Sequence, residues 1–238
     1  MRRAAEARAP SRRRILHRQQ RRAAPFAAEA KPLAEAPPPK VPLGEVVARH
    51  GGALLGGTIG AVACFATYYI ATAFLLGWGT KSLGYSMHDF LSVQLVAILF
   101  MAGGIYLAAW LADAKYDPRR VLAGGCLLVA ASGFVIAPLM ADGLLGVFVF
   151  LSLLLFAMGF VYGPLSAWLT DLFPPRVRYT GASMTFNIAG VIGGGLTPFF
   201  AQTLAIKGGL APVGWYLSAA AVLSLAALLL LKERRGAA

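Results

Sequence analysis

From about residue 50 onward the chain alternates long apolar runs with short polar breaks, and nowhere shows the strict two-residue alternation of a half-buried strand. A window of about 19 residues finds six runs long enough to cross a bilayer as helices, each near the roughly 20 residues that a crossing needs. They lie near 53–76, 90–111, 120–140, 143–168, 181–206 and 212–231, and the third and fourth are parted by little more than Ala141-Asp142-Gly143. The pattern predicts an all-α membrane protein of six transmembrane helices.

Polar and aromatic positions are shared unevenly among these segments. Segment one carries Thr67, Tyr68, Tyr69 and Thr72, segment two Ser92 and Gln94, segment four Tyr162, Ser166 and Trp168, and segment five Ser183, Thr185, Asn187, Thr197 and Gln202. Segment six, running Ala219 to Leu231, is almost featureless, and segment three is nearly so. A polar group in hydrocarbon needs a partner or water, so segments one, two, four and five are expected to line a cavity and the other two to face lipid. Tyr68, Tyr69, Gln94, Tyr162 and Asn187 are the substrate-cavity candidates. Each also has a plainer reading, since hydroxyls and carboxamides bond their own helix backbone and tyrosines sit in the interfacial belt.

Two stretches interrupt the helical pattern. Tyr162-Gly163-Pro164 precedes a charged turn, Asp171-Leu172-Phe173-Pro174-Pro175-Arg176-Val177-Arg178, in which the prolines stop the incoming helix and the charges can pin two helix ends. In segment five, Gly190 and Gly194 form a GxxxG face ahead of Gly195 and Pro198, a pattern that serves either close helix packing or a moving hinge. Gly163 and Pro164 could bend segment four in the same way.

Hydrophobic residues make up 58% of the chain and charged residues 13%, far from the mix of a soluble domain. The net charge of +12 is concentrated at the start, where residues 1–50 hold twelve Lys or Arg against four Glu. Residues 1–49, rich in Arg, Ala and Pro, are expected to be a disordered cytoplasmic tail, followed by a transmembrane domain over 50–238. The tail reads as electrostatic retention at a membrane face and not as a nucleic-acid interface. Lys115, Arg119, Arg120, Arg176, Arg178, Lys232, Arg234 and Arg235 fall on one side with that tail, against Lys81 and Lys207 on the other. This bias puts both termini in the cytoplasm and the chain in the cell inner (plasma) membrane. Cys64 and Cys126, each inside an apolar run, suggest neither a disulfide nor a metal site. The glycine run lacks a P-loop lysine, no acidic pair lies within an apolar run, and no nucleophile–base set is apparent, so neither an enzyme nor a cofactor is expected.

The run Gly159 to Ser183 resembles the turn between helices ten and eleven of the metabolite:proton symporter branch of the major facilitator superfamily, with Asp171 standing where that family usually has Glu. Thr67-Tyr68-Tyr69-Ile70-Ala71-Thr72 resembles the aromatic stretch of its seventh helix. Leu111-Ala112-Asp113 with Arg119-Arg120 looks like the second copy of the superfamily's loop motif, although Ala114 to Pro118 makes the spacing longer than usual. The resemblance covers roughly 50–235, corresponds to the second half of a twelve-helix transporter, and leaves the first 45 residues unmatched. It implies a gating or helix-end charge cluster of Asp113, Arg119, Arg120, Asp171, Arg176 and Arg178. It also implies transport of a small metabolite, an organic acid, a zwitterion or an osmolyte, coupled to protons. The two halves of such a transporter rock about a midplane site, so the implied partner is a second transporter half or a second copy of the chain. The alternative is a truncated or decayed fragment that inserts without transporting, a membrane-anchored interaction protein.

Overall fold

A computed structural model describes residues 43–114 and 116–231, all of it helix and short turns. The helices are α1 (Leu43–Lys81), α2 (Met87–Ala114), α3 (Pro118–Ser132), α4 (Ile136–Ala141), α5 (Gly143–Asp171), α6 (Arg178–Gly208) and α7 (Leu210–Leu230). Five of them, α1, α2, α5, α6 and α7, are long and apolar enough to cross a membrane. The third expected crossing is broken. Pro138 has no N–H for the Phe134 carbonyl, and Gly133 lies so tightly against the Gly214 carbonyl and Ser218 Oγ that no side chain would fit. The chain there passes through two tight i→i−3 bonds, Phe134 N–H to the Ala131 carbonyl and Val135 N–H to Ser132, each 3.2 Å, before α4 starts.

α1 begins at Leu43, well before the expected start near residue 53, so 43–49 are helical although they were counted with the tail. Non-helical angles at His50 (φ −126°, ψ 21°) separate these first, roughly two, turns from the membrane-length part. The rest of the expected tail, and Lys115, Lys232, Arg234 and Arg235, lie outside the described residues. Two π-helical turns, Ile70–Phe74 in α1 and Val191–Leu196 in α6, widen the backbone ladder of those helices. α5 runs unbroken through Pro164.

Small residues bring the helices together. Side chains at Gly104, Gly159 and Gly163 would run into the backbone of the facing helix, so α2 and α5 meet backbone to backbone. α1 is the hub. Gly56 lies under Leu231, Gly57 under Leu169, Leu172 and Thr185, and Gly60 under the Trp168 ring, so α5, α6 and the end of α7 all press on one stretch of one helix.

α7 is not the featureless lipid-facing helix that its composition predicts. Ser218 Oγ donates to the Ala130 carbonyl of α3 at 2.7 Å, and Ser224 reaches into α1. Of its most apolar window 44% is buried, against only 17% for α2, which was expected to be the more polar and enclosed of the two.

Candidate functional site

Tyr68 and Tyr69 stand just before the π-turn of α1, with their rings 5.5 Å apart and nearly perpendicular. Tyr69 covers Gly194 of α6, and Phe65, one turn earlier, covers Gly190 and Gly193. The Gly190 and Gly194 face is thus the seat of the α1 aromatics. Phe65 in turn packs edge-on against Phe186 of α6 (4.8 Å), and Phe186 against Tyr162 of α5 (6.4 Å). Three helices therefore contribute to one aromatic face, on which Tyr69 and Tyr162 remain 38% and 41% exposed.

α2 joins this face through Gln94. Its Nε2 donates to the Thr72 carbonyl inside the π-turn at 3.3 Å, while Thr72 Oγ1 donates back to the Tyr68 carbonyl at 2.7 Å. A π-turn misaligns the carbonyls of its ladder, and a carboxamide from the next helix is well suited to occupy one. The other end of the same group, Gln94 Oε1, is buried and has no hydrogen-bond partner among the described residues. Asn187 is exposed on α6, where its Nδ2 donates to the Ser183 carbonyl one turn back at 2.8 Å. Pro198 lies in the first turn of α6 beyond its π-segment, where its missing N–H removes no regular α bond, and the neighbouring Thr197 Oγ1 meets Tyr216 Oη of α7 at 2.9 Å.

The charged residues gather at one end of the bundle. Arg176 Nη2 meets Glu45 Oε2 of α1 at 3.4 Å, and Arg178 Nε donates to the Phe173 carbonyl at 3.5 Å. Phe173 is buried under Gly181 and edge-on to His50 at 6.5 Å, which anchors the loop against the kink of α1. Across the same end, Asp117 Oδ1 caps α3 by accepting from Arg119 N at 2.9 Å, and Arg119 Nη2 caps α7 by donating to the Leu229 carbonyl at 2.6 Å. Arg120 and Asp113 are exposed there, and Asp171 is the last residue of α5. Sequence reasoning missed Glu45 altogether, because it lay in the stretch assigned to the tail; the signal available was an acid in the first turn of a helix, next to the apolar Val46 that is fully buried. It missed Ser224 as a group that reaches another helix, since it looked like an ordinary hydroxyl in an apolar run.

Among the described residues no group of three or more His, Cys, Asp or Glu could hold a metal ion. What the arrangement offers is a partly exposed aromatic surface, Tyr69 and Tyr162, with the buried Gln94 carboxamide behind it.

Comparison with known proteins places these features. The family described as Major Facilitator Superfamily matches residues 12–198, which reaches into the segment that the sequence resemblance left unmatched. The chain is 35% identical over 201 residues to the inner membrane metabolite transport protein YhjE of Escherichia coli, 82% of this chain and 46% of that one. It is 32% identical to the shikimate transporter of the same organism (83% and 46%), and 28% identical to the citrate-proton symporter of Klebsiella pneumoniae (72% and 39%). The chain thus spans about half the length of the curated relatives it matches. No solved structure matches it. All of these relatives are named as transporters or symporters, a non-enzymatic class that includes the branch the sequence resembles. The chain is a multi-pass membrane protein that belongs to the Major Facilitator Superfamily.

Proposed function

We propose that the chain is a helical half of a metabolite symporter, moving a small organic acid, zwitterion or osmolyte together with protons across the cell inner membrane, with both termini cytoplasmic. The observation that carries this reading is the aromatic face shared by α1, α5 and α6 and tied to α2 by Gln94, because it unites the same four helices whose polar residues call for a cavity. Tyr69 and Tyr162 are its exposed contacts, and Gln94 fixes the π-turn beneath them. The names of the relatives support small organic acids as cargo, and one of them supports proton coupling. A midplane site in this kind of transporter is closed by two halves, so the opposite wall comes from a second half or a second copy of this chain. The clustering of Arg119 and Arg176 at one end, with the start of α1 and the end of α7, supports a cytoplasmic placement of that end.

Proteoliposomes containing the purified chain, under an inward proton gradient, test the proposal with a panel of labelled organic acids and betaines. Saturable, gradient-dependent uptake supports it and shows that copies of the chain suffice. Uptake only after co-expression with a separate half identifies the partner. A folded chain that transports nothing under either condition favours the inert fragment.

A further inference from the structure

Ser152 of α5 is 7% exposed, and its hydroxyl has no hydrogen-bond partner among the described residues. A buried hydroxyl ordinarily turns back onto the carbonyl one turn earlier in its own helix, as Thr67, Thr72 and Thr185 do here at 2.6, 2.7 and 2.7 Å. Ser152 makes no such bond. Gln94 Oε1 of α2 is an atom of the same kind, buried with no donor among the described residues. Polar atoms are costly to leave dry, and two at one place call for a shared partner. The packing puts these two at one junction. α2 and α5 run in the same direction and share the most extensive contact of any two helices, with Gly159 lying on the Met101 carbonyl and the Ile105 amide. Two turns back along both helices, the same register sets Ser152 against the Gln94 carbonyl and the Ile98 amide. The helices are still together at that level: one turn before Ser152, the Phe148 ring meets that of Phe100 at 6.0 Å, and Ala97 of α2 is fully buried. α5 also packs against the π-turn of α1, whose Thr72 carbonyl takes the other end of the Gln94 carboxamide.

We propose that Ser152 and Gln94 form a binding site for one buried water between α2 and α5, which donates to Gln94 Oε1, bonds Ser152 Oγ, and so joins α5 through α2 to the π-turn of α1. Such a water is held by a small number of polar partners, and these two side chains supply them. The ligand is neutral, because the acids of the three helices, Glu45, Asp89, Asp113 and Asp171, all stand at helix ends and none is at this depth to balance a cation. It is not the transported solute, since both atoms are closed to solvent. A crystal structure of the full chain grown from a lipid phase, at a resolution that shows ordered waters, tests the site. The wild-type chain is expected to show a peak within hydrogen-bonding distance of both Gln94 Oε1 and Ser152 Oγ. Ser152→Ala and Gln94→Leu each lose that peak, and either variant suffices if the other fails to fold. Ser132→Ala, which removes an equally buried hydroxyl that bonds the Val129 carbonyl of its own helix at 2.7 Å, keeps it. A direct bond between the two side chains, no peak, or a peak that survives Ser152→Ala unmoved overturns the proposal, as does its loss from Ser132→Ala. A peak crowded by oxygens at ion-ligand distances is a cation and overturns it too. The site does not depend on the transport reading, and a chain that moves no solute still answers the question.

Discussion

Glu45 and Arg176 meet at 3.4 Å, with the arginine side chain 80% exposed and the glutamate 22% exposed. An ion pair so open to water contributes at most about 1 kcal/mol, so its value lies in where it holds the α5–α6 loop and not in how tightly. Glu45→Lys is accordingly expected to leave the thermal midpoint of the detergent-solubilised chain within a few degrees of wild type while lowering uptake. The double variant Glu45→Lys, Arg176→Glu restores the pair with its charges exchanged, and recovered uptake in liposomes is the check. At Gln94 the balance is different. Gln94→Leu gives up one 3.3 Å hydrogen bond but also removes a buried oxygen that has no partner among the described residues, two changes of opposite sign and each on the order of 1 kcal/mol. Thermal unfolding should therefore hardly move, whereas affinity for the transported solute should fall, read as a higher KM. Neither partner could be read from the sequence. Charge and polarity mark a residue as needing company, but the companion of Arg176 lies more than a hundred positions away, and that of Gln94 is a backbone carbonyl released only by a π-turn.

The same division between local and distant causes runs through the helices. Their existence was legible because 20-odd apolar residues in a row leave a chain few other options. Their interruptions were legible only in part: the glycine run that weakens segment five holds the π-turn Val191–Leu196, but the break in the third crossing depends on a neighbour. The third crossing splits at Gly133 where α7 passes with no room for a side chain, and α7 is held to α3 and α1 by serines that look incidental inside a run of leucine and alanine. The GxxxG pattern was visible, but only the fold shows that the rings of Phe65 and Tyr69 occupy the space it leaves. Backbone contact between α2 and α5 yields a sharp test. At Gly159 a larger side chain would meet the Met101 carbonyl, whereas the adjacent α2 position Gly103 faces open space. Gly159→Leu should cost the bundle about 1–3 kcal/mol through forced separation of the helices, and Gly103→Ala close to nothing, as measured by unfolding in denaturing detergent.

Across the whole molecule, the charged residues at the α5–α6 turn, the α3 start and the α7 end share one pole with the start of α1. A single cysteine introduced at Tyr179, 84% exposed at that pole, should react with a membrane-impermeant maleimide in inside-out vesicles but not in intact cells, and one at Lys207 should do the reverse. Equal labelling from both sides would contradict a fixed orientation. The hub position of α1 reaches further, into the order in which the protein is made. α1 leaves the ribosome before any other membrane-length helix described here, yet Ser224, whose hydroxyl bonds the Ile59 carbonyl of α1, follows Ile59 by 165 residues. At about 5–20 residues per second the first helix waits on the order of ten seconds or more for its last contact. Until α5 and α6 follow, Gly57 and Gly60 present a groove with no helix in it, and Gly56 waits for Leu231; the chain can be held there by lipid, by the insertion machinery or by another copy of itself. The bundle is therefore closed by the last of the described helices to be synthesised, and a ribosome that stalls before residue 224 leaves a protein whose central helix has been inserted but lacks its Ser224 contact.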